Sequence, residues 1–170
     1  MRPPALAVES VLDLDPPSLR MVVPPSWADS NGHMNMRWYL ALFDDAGDEL
    51  HERVGLTPEF HARRNTGTVD LEHHTNFLNE VMPGDTVAVY SRLVARSAKR
   101  LHYLMFLVNE SKGESPGRLA AIFECMNAFA DLTVRRTAPF PDEIAEKIDR
   151  WLVRDTKLGW PPPVSGAMQV

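Results

Sequence analysis

A long stretch of helical periodicity, residues 36–54, stands ahead of four runs that read as strands, and this order restricts the fold more than any other feature of the chain. Apolar residues at 36, 40, 43, 47, 50 and 54 follow the three-four spacing of one buried helix face, and Gly55 stops the helix. Gly47 sits on that face, where a missing side chain lets a sheet approach closely, at a propensity cost of about 1 kcal/mol relative to Ala. After a basic loop, Arg63-Arg64-Asn65, the period changes to two. Val69, Leu71, His73, Thr75 and Phe77 alternate with Asp70, Glu72, His74, Asn76 and Leu78, which predicts a strand with one apolar and one polar face. Met82-Pro83-Gly84-Asp85 is a turn. Strand-like runs follow at 86–97, 100–109 and 118–131, joined by Ala98-Lys99 and by the polar loop 110–117. Such short connections imply antiparallel neighbours. With a first strand at 19–23 and a last helix from about Pro141 to Gly159, the order is strand, helix, four strands, helix. That order excludes an alternating parallel α/β sheet and predicts an α+β chain.

Between the first strand and the long helix lies Trp27-Ala28-Asp29-Ser30-Asn31-Gly32-His33-Met34-Asn35. It packs four proton-accepting or proton-donating side chains around a glycine. Asn35 is a natural N-cap, with Met34 and Tyr39 at the two positions of a hydrophobic staple. The first-turn amides of Met36, Arg37 and Trp38 are then expected to point, unpaired, toward whatever Asp29 faces. A carboxylate beside open amides at a positive helix end suits polarising a carbonyl and attacking it.

The 170 residues are long enough for one domain with an ordinary core. We expect a proline-rich N-terminal arm at 1–17, a domain at 18–158 and a proline-rich tail at 159–170, both ends extended or loosely docked. The net charge of −5 with scattered basic residues gives no support for nucleic-acid binding. No stretch approaches transmembrane length, so a soluble cytoplasmic protein is expected. A single cysteine, Cys125, excludes an internal disulfide and offers no metal-binding spacing. It falls in the apolar run 119–126 and reads as a small buried hydrophobe rather than a nucleophile.

One long helix inserted after the first strand of an antiparallel sheet resembles the hot-dog fold, in which the sheet wraps a central helix. Asp29-Ser30-Asn31-Gly32 matches the Asp-x-x-Gly of the 4-hydroxybenzoyl-CoA thioesterase-like branch of that fold. Asp29-x-Asn31-x-His33-x-Asn35 is similar to the Asp-x-Asn-x-His-Val-Asn pattern of acyl-ACP thioesterases, and Pro83-Gly84-Asp85 stands where the family carries its Gly-Asp. The resemblance spans roughly 19–135. Within the branch, Trp27, the 29–34 motif, Glu72-His73-His74 and Lys99-Arg100-Leu101-His102 look like the thioesterases associated with carnitine dehydrogenase, although Ser30 replaces an aromatic of that subgroup.

The resemblance implies thioester hydrolysis with Asp29 as general base or nucleophile, the oxyanion held by a backbone amide near Met36, and Asn31 and Asn35 holding the loop or orienting water. His33 serves either as a second proton carrier or as a partner of the loop backbone. Glu72, His74 and Asn76 share one strand face and are expected to complete the site across a homodimer or a dimer of dimers. His73 is expected as a hydrogen-bonded interior histidine. Arg96, Lys99 and Arg100 are the candidates for the coenzyme A phosphates. Trp27, Trp38 and Tyr39, with Asp44 or Asp45 nearby, suit a small cationic acyl group such as a quaternary ammonium. No cofactor or metal is expected beyond the acyl-CoA substrate itself.

A hot-dog hydratase would place its histidine five residues after the aspartate in an Asp-x-Asn-Pro-x-His pattern. Here the interval is four and Gly32 replaces the proline, which favours hydrolysis. A non-catalytic acyl-CoA-binding module would keep the pocket without needing Asp29.

Overall fold

The computed structural model describes residues 6–111 and 116–170. Pro3 and Pro4 of the expected arm and residues 112–115 of the expected polar loop lie outside the described residues. The elements are α1 Val8–Leu12, β1 Leu19–Val22, a 3-10 turn Pro25–Trp27, α2 Met36–Arg53, α3 Pro58–Arg64, β2 Thr66–Phe77, β3 Thr86–Arg96, β4 Arg100–Asn109, β5 Arg118–Asp131, β6 Arg136–Thr137 and α4 Asp142–Asp155. The sheet order is β1-β3-β4-β5-β2, with β6 paired to β5. β1 runs antiparallel to β3, from Leu19 opposite Val89 to Val22 opposite Thr86. α2 and α3 therefore lie in the chain between the two edge strands. No helix of the described residues is long and apolar enough to cross a membrane.

The long helix forms where its periodicity places it, but its buried face differs from the expected one. Tyr39, Leu42, Phe43, Ala46 and Leu50 are buried, whereas Met36 is 69% and Leu40 50% exposed. Val54 lies at nearly the same helical angle as Met36 and is buried, so angle does not explain the difference. What Met36 and Leu40 lack is cover over the first turns of the helix. The apolar face of β2 is corrected in the same way: Val69, Leu71 and Phe77 are all exposed.

α3 replaces part of the expected basic loop. The Thr57 hydroxyl accepts from the Phe60 amide at 3.2 Å, Pro58 occupies the first turn, and Asn65 ends the helix in the left-handed region with φ 50°. Arg63 and Arg64 are its last turn, where cations complement the helix dipole. Thr57-Pro58-Glu59 carries the start signal, but seven residues are too few for periodicity to show.

The contacts fall into two compact units, each drawn from several chain segments. Of the described residues, the first takes in 6–49, 75–91, 105–111 and 116–123. Phe43 stacks on Phe123 with centroids 4.8 Å apart, and both are nearly inaccessible. Burying one such ring stabilises the fold by roughly 1.5–3 kcal/mol. The Pro83-Gly84 turn is held by Asp85, whose carboxylate accepts from the Met82 amide at 2.9 Å and from the Asn109 side chain at 2.7 Å. Gly84 adopts φ 87°, which a residue with a Cβ would resist.

The second unit comprises 50–74, 92–104 and 124–170. Phe129 meets Phe60 and Phe140, and α4 adds Ile144, Ile148 and Trp151 to the buried set. Two buried carboxylates tie this unit together. Asp155 accepts from the Leu93 amide at 2.8 Å, and Glu124 accepts from His102 at 2.8 Å and from the Ser165 amide at 2.7 Å. The second contact pins the C-terminal segment, in which Pro163 and Met168 are buried, so this tail is docked rather than loose. Trp160 is held too, with the Arg92 guanidinium 4.0 Å from its ring centroid.

Candidate active site

The stretch before α2 folds into a tight loop closed by its own backbone. Ala28 and Met34 form an isolated antiparallel bridge, and the Asp29 amide donates to the His33 carbonyl at 2.8 Å. Gly32 turns the chain with φ 81° and donates to the Asp29 carbonyl at 3.1 Å. Inside this loop the Asp29 carboxylate is fixed through one oxygen, Oδ1, which accepts from the amides of Asn31 at 2.8 Å and His33 at 3.3 Å. Among the described residues Oδ2 has no such partner. A carboxylate held this way keeps its orientation while one oxygen stays available for chemistry.

Asn35 caps α2 as its sequence position predicts, its side-chain oxygen accepting from the Arg37 amide at 3.1 Å. The Trp38 amide donates to the Asn35 carbonyl at 2.9 Å. Two of the three first-turn amides expected to be open are therefore occupied. The Met36 amide has no partner among the described residues, so the helix end offers one donor rather than three. Met34 and Tyr39, the expected staple pair, are both buried, and the Met34 amide ties the loop to the Val81 carbonyl at 2.8 Å.

A cavity of about 550 Å³ opens at this loop, and Asp29, His33, Met34 and Met36 form one side of it. Tyr39 and Phe77 contribute rings that meet edge to face at 5.1 Å. Burial raises the Tyr39 phenol above its ordinary pKa, keeping it a neutral hydrogen-bonding group. Asn79, Glu80 and Arg118 complete the polar lining. The His33 imidazole points to Glu80, 3.4 Å from its carboxylate, while the His33 backbone amide serves Asp29. Asn79 is fixed by donating to the Leu119 carbonyl at 2.8 Å.

Glu80 and Arg118 were not legible as site residues. Glu80 follows the end of β2 and Arg118 opens β5, and only the fold brings them to Asp29. Of the other candidates, Trp27 and Trp38 stack on each other at 4.5 Å and do not line the cavity. Glu72 and His74 are exposed on β2 and Asn76 is half-buried; none of them lines the cavity either. Asp44 and Asp45 are exposed and absent from its lining. Arg96 is committed to Asp149 through two contacts of 2.6 and 2.5 Å, Lys99 donates to the Thr137 carbonyl at 3.3 Å, and Arg100 to the Gln169 carbonyl at 3.4 Å. His73 is hydrogen-bonded as expected, to Asp70 at 2.8 Å, but its side chain is about one-third exposed rather than interior. It sits on an edge strand, which leaves one side uncovered. Cys125 is fully buried and burial pushes its thiol pKa up, so it is no nucleophile as it stands.

Residues 23–148 match the model of the thioesterase-like superfamily. The betainyl-CoA thioesterase of Pseudomonas aeruginosa is 33% identical over 125 residues, covering 74% of this chain and 76% of that protein. A bifunctional L-carnitine dehydrogenase/betainyl-CoA thioesterase of Agrobacterium fabrum is 31% identical over 123 residues, which are 72% of this chain but only 24% of the longer protein. Among solved structures, a Staphylococcus aureus protein in complex with CoA superposes with a TM-score of 0.78 at 24% identity, covering 89% of this chain and 93% of that one. The α+β architecture, with its C-terminal helix, is the hot-dog fold.

Proposed function

Because the chain belongs to the thioesterase-like superfamily, we propose that it hydrolyses an acyl-CoA thioester to the free acid and coenzyme A at the Asp29 cavity. The observation that carries this reading is the pairing of a fixed carboxylate, with one oxygen available, and an unpartnered amide at the start of α2 on the same cavity wall. The thioester oxygen accepts from the Met36 amide, which stabilises the charge that develops as the carbonyl becomes tetrahedral; loss of one such donor costs about 3 kcal/mol of transition-state stabilisation. Asp29 either takes a proton from the attacking water and passes it to the departing thiolate as the C–S bond breaks, or attacks the carbonyl itself to give an acyl-Asp29 anhydride and the thiolate, after which a water hydrolyses the anhydride to the free acid and supplies the thiol proton. Asn31 and His33 orient Asp29 through their amides, and Asn35 sets the helix start that aims the Met36 amide. No cofactor takes part in this scheme. Arg118, which has no ion-pair partner among the described residues, is better placed in the cavity wall to meet a phosphate than the engaged Arg96.

The substrate in this proposal carries a small cationic acyl group, as in betainyl-CoA. The reading draws on the named activity of the Pseudomonas relative and on the lining itself, where the Tyr39 and Phe77 rings stand with the Glu80 carboxylate, a set suited to a quaternary ammonium. Of the rings to which the sequence pointed, Tyr39 keeps this role in the proposal and Phe77 takes the place of Trp27 and Trp38. The ratio kcat/KM ranks transition-state binding among competing substrates. We expect betainyl-CoA to exceed palmitoyl-CoA by at least about tenfold on that ratio, with acetyl- and hexanoyl-CoA between them, one large cationic contact being worth roughly 1–2 kcal/mol. Palmitoyl-CoA leading by the same margin overturns the substrate while leaving hydrolysis intact.

The protein is further proposed to work as a homodimer or a dimer of dimers. Support comes from apolar side chains left in water, Met36 and Leu40 on α2 and Val69 and Leu71 on the edge strand β2, which a second copy would cover. In such an assembly Glu72 and His74 would face the partner's site. Sedimentation at micromolar concentration should show a dimer or larger; a fully active monomer removes this assembly.

A further inference from the structure

Away from the residues that line the Asp29 cavity, the second unit holds a trio of side chains that the hydrolytic reading does not use. Asp70 on β2, His73 three residues later and Cys125 on β5 each present one donor atom, and these atoms lie within 4.8 Å of one another. The carboxylate and imidazole are already in contact at 2.8 Å, with about one-third of each side chain exposed, while the thiol below them is fully buried. Solvent therefore reaches the carboxylate and the imidazole but not the sulfur.

The surroundings orient these groups as outer partners orient the ligands of a metal site. The Asn127 side chain donates to Asp70 Oδ1 at 2.6 Å, which leaves Oδ2 facing His73. Beneath Asn127 lies the buried His51 imidazole, close enough to hydrogen-bond the Asn127 side chain and to feel the Asp70 charge.

We propose that Asp70, His73 and Cys125 form a divalent transition-metal site of the zinc class, with three protein ligands and a fourth position open to water. The donor set decides the metal. Thiolate and imidazole select zinc-like ions, whereas calcium and magnesium take oxygen ligands. Bonds of about 2.0–2.3 Å at tetrahedral angles hold ligand atoms roughly 3.3–3.8 Å apart. The Asp70–His73 contact must open by less than about 1 Å to accept such an ion. On binding, the Cys125 proton leaves to solvent and no redox change is required.

Cobalt(II) is the probe, since a thiolate ligand gives it a charge-transfer band in the near ultraviolet that oxygen and nitrogen ligands do not. Titrating the full chain is expected to give that band, saturating at one equivalent per chain, with zinc displacing the cobalt. Cys125→Ser should abolish the band, and His73→Gln and Asp70→Asn should each weaken binding at least about tenfold. His73 is partly exposed on an edge strand, so its variant is expected to fold even if that of the buried cysteine does not. Absence of the band in the wild-type protein, or unchanged affinity in His73→Gln and Asp70→Asn, overturns the site. Because the readout is spectroscopic, its failure is independent of any failure of thioester hydrolysis.

Discussion

Replacing Asp29 with asparagine is expected to lower acyl-CoA turnover at least about a hundredfold, the lower range for losing a positioned proton acceptor, while the protein stays folded. The two outcomes separate because the loop bonds use one oxygen of the carboxylate and the proposed chemistry the other. Its Oδ1 accepts from the Asn31 and His33 amides, and the carbonyl oxygen of an asparagine side chain can accept both bonds in the same place. The backbone bonds of the loop, from Asp29 N to the His33 carbonyl and from Gly32 N to the Asp29 carbonyl, do not involve the side chain at all. What the substitution removes is the charge and basicity of the other oxygen. Steady-state turnover on the best substrate, with circular dichroism and melting temperature as controls, tests this. Activity within about threefold of wild type contradicts Asp29 as base or nucleophile.

Asp85→Ala should have a large effect on stability for a polar substitution in the first unit. The carboxylate is 3% exposed and joins the start of β3 to the Met82 amide and to Asn109 at the end of β4. Truncation leaves the part-buried Met82 amide and the buried Asn109 carboxamide without their acceptor, which costs about 3 kcal/mol. For a chain of this length that corresponds to a fall in Tm of roughly 6–12 °C. Asp85→Asn keeps one acceptor and should lose about half as much. Thermal unfolding reads both, and a change below about 2 °C for Asp85→Ala would show that the turn does not depend on this carboxylate.

The turn and the Asp29 loop were legible in the sequence because their determinants are local. Asp29 bonds residues two and four positions on, Asn35 caps the next residues, and Gly84 and Asp85 close a four-residue turn. The strands of the second half were equally plain, since period-two runs and turn residues lie side by side in the chain, and β4 and β5 begin and end where the pattern does. Short elements without room for a period, α1, α3 and β6, were not. Nor was the pairing that sets β2 beside β5 and β1 beside β3, which depends on residues dozens of positions apart.

The same distinction explains the site. Asp29 announces itself through its neighbours in sequence, whereas Arg118, Glu80 and Phe77 reach the cavity through the sheet. Of the expected rings Trp27, Trp38 and Tyr39, only Tyr39 lines the cavity, joined there by Phe77, and this has a single physical cause. The two indoles satisfy each other by stacking, and α2 turns Tyr39 rather than Trp38 inward. The buried pairs His102–Glu124 and Asp155–Leu93 carry no local pattern at all, because each joins elements far apart in the chain.

Release of free thiol from a panel of acyl-CoAs, including betainyl, acetyl, hexanoyl, palmitoyl and aromatic esters, tests most directly whether the Asp29 cavity is a thioesterase site. With wild-type protein and Asp29→Asn assayed in parallel, the account predicts catalytic release from at least one ester, highest for betainyl-CoA, and near-complete loss of that release in the variant. Thiol release no faster than in buffer for every ester, or release that Asp29→Asn leaves intact, would contradict it.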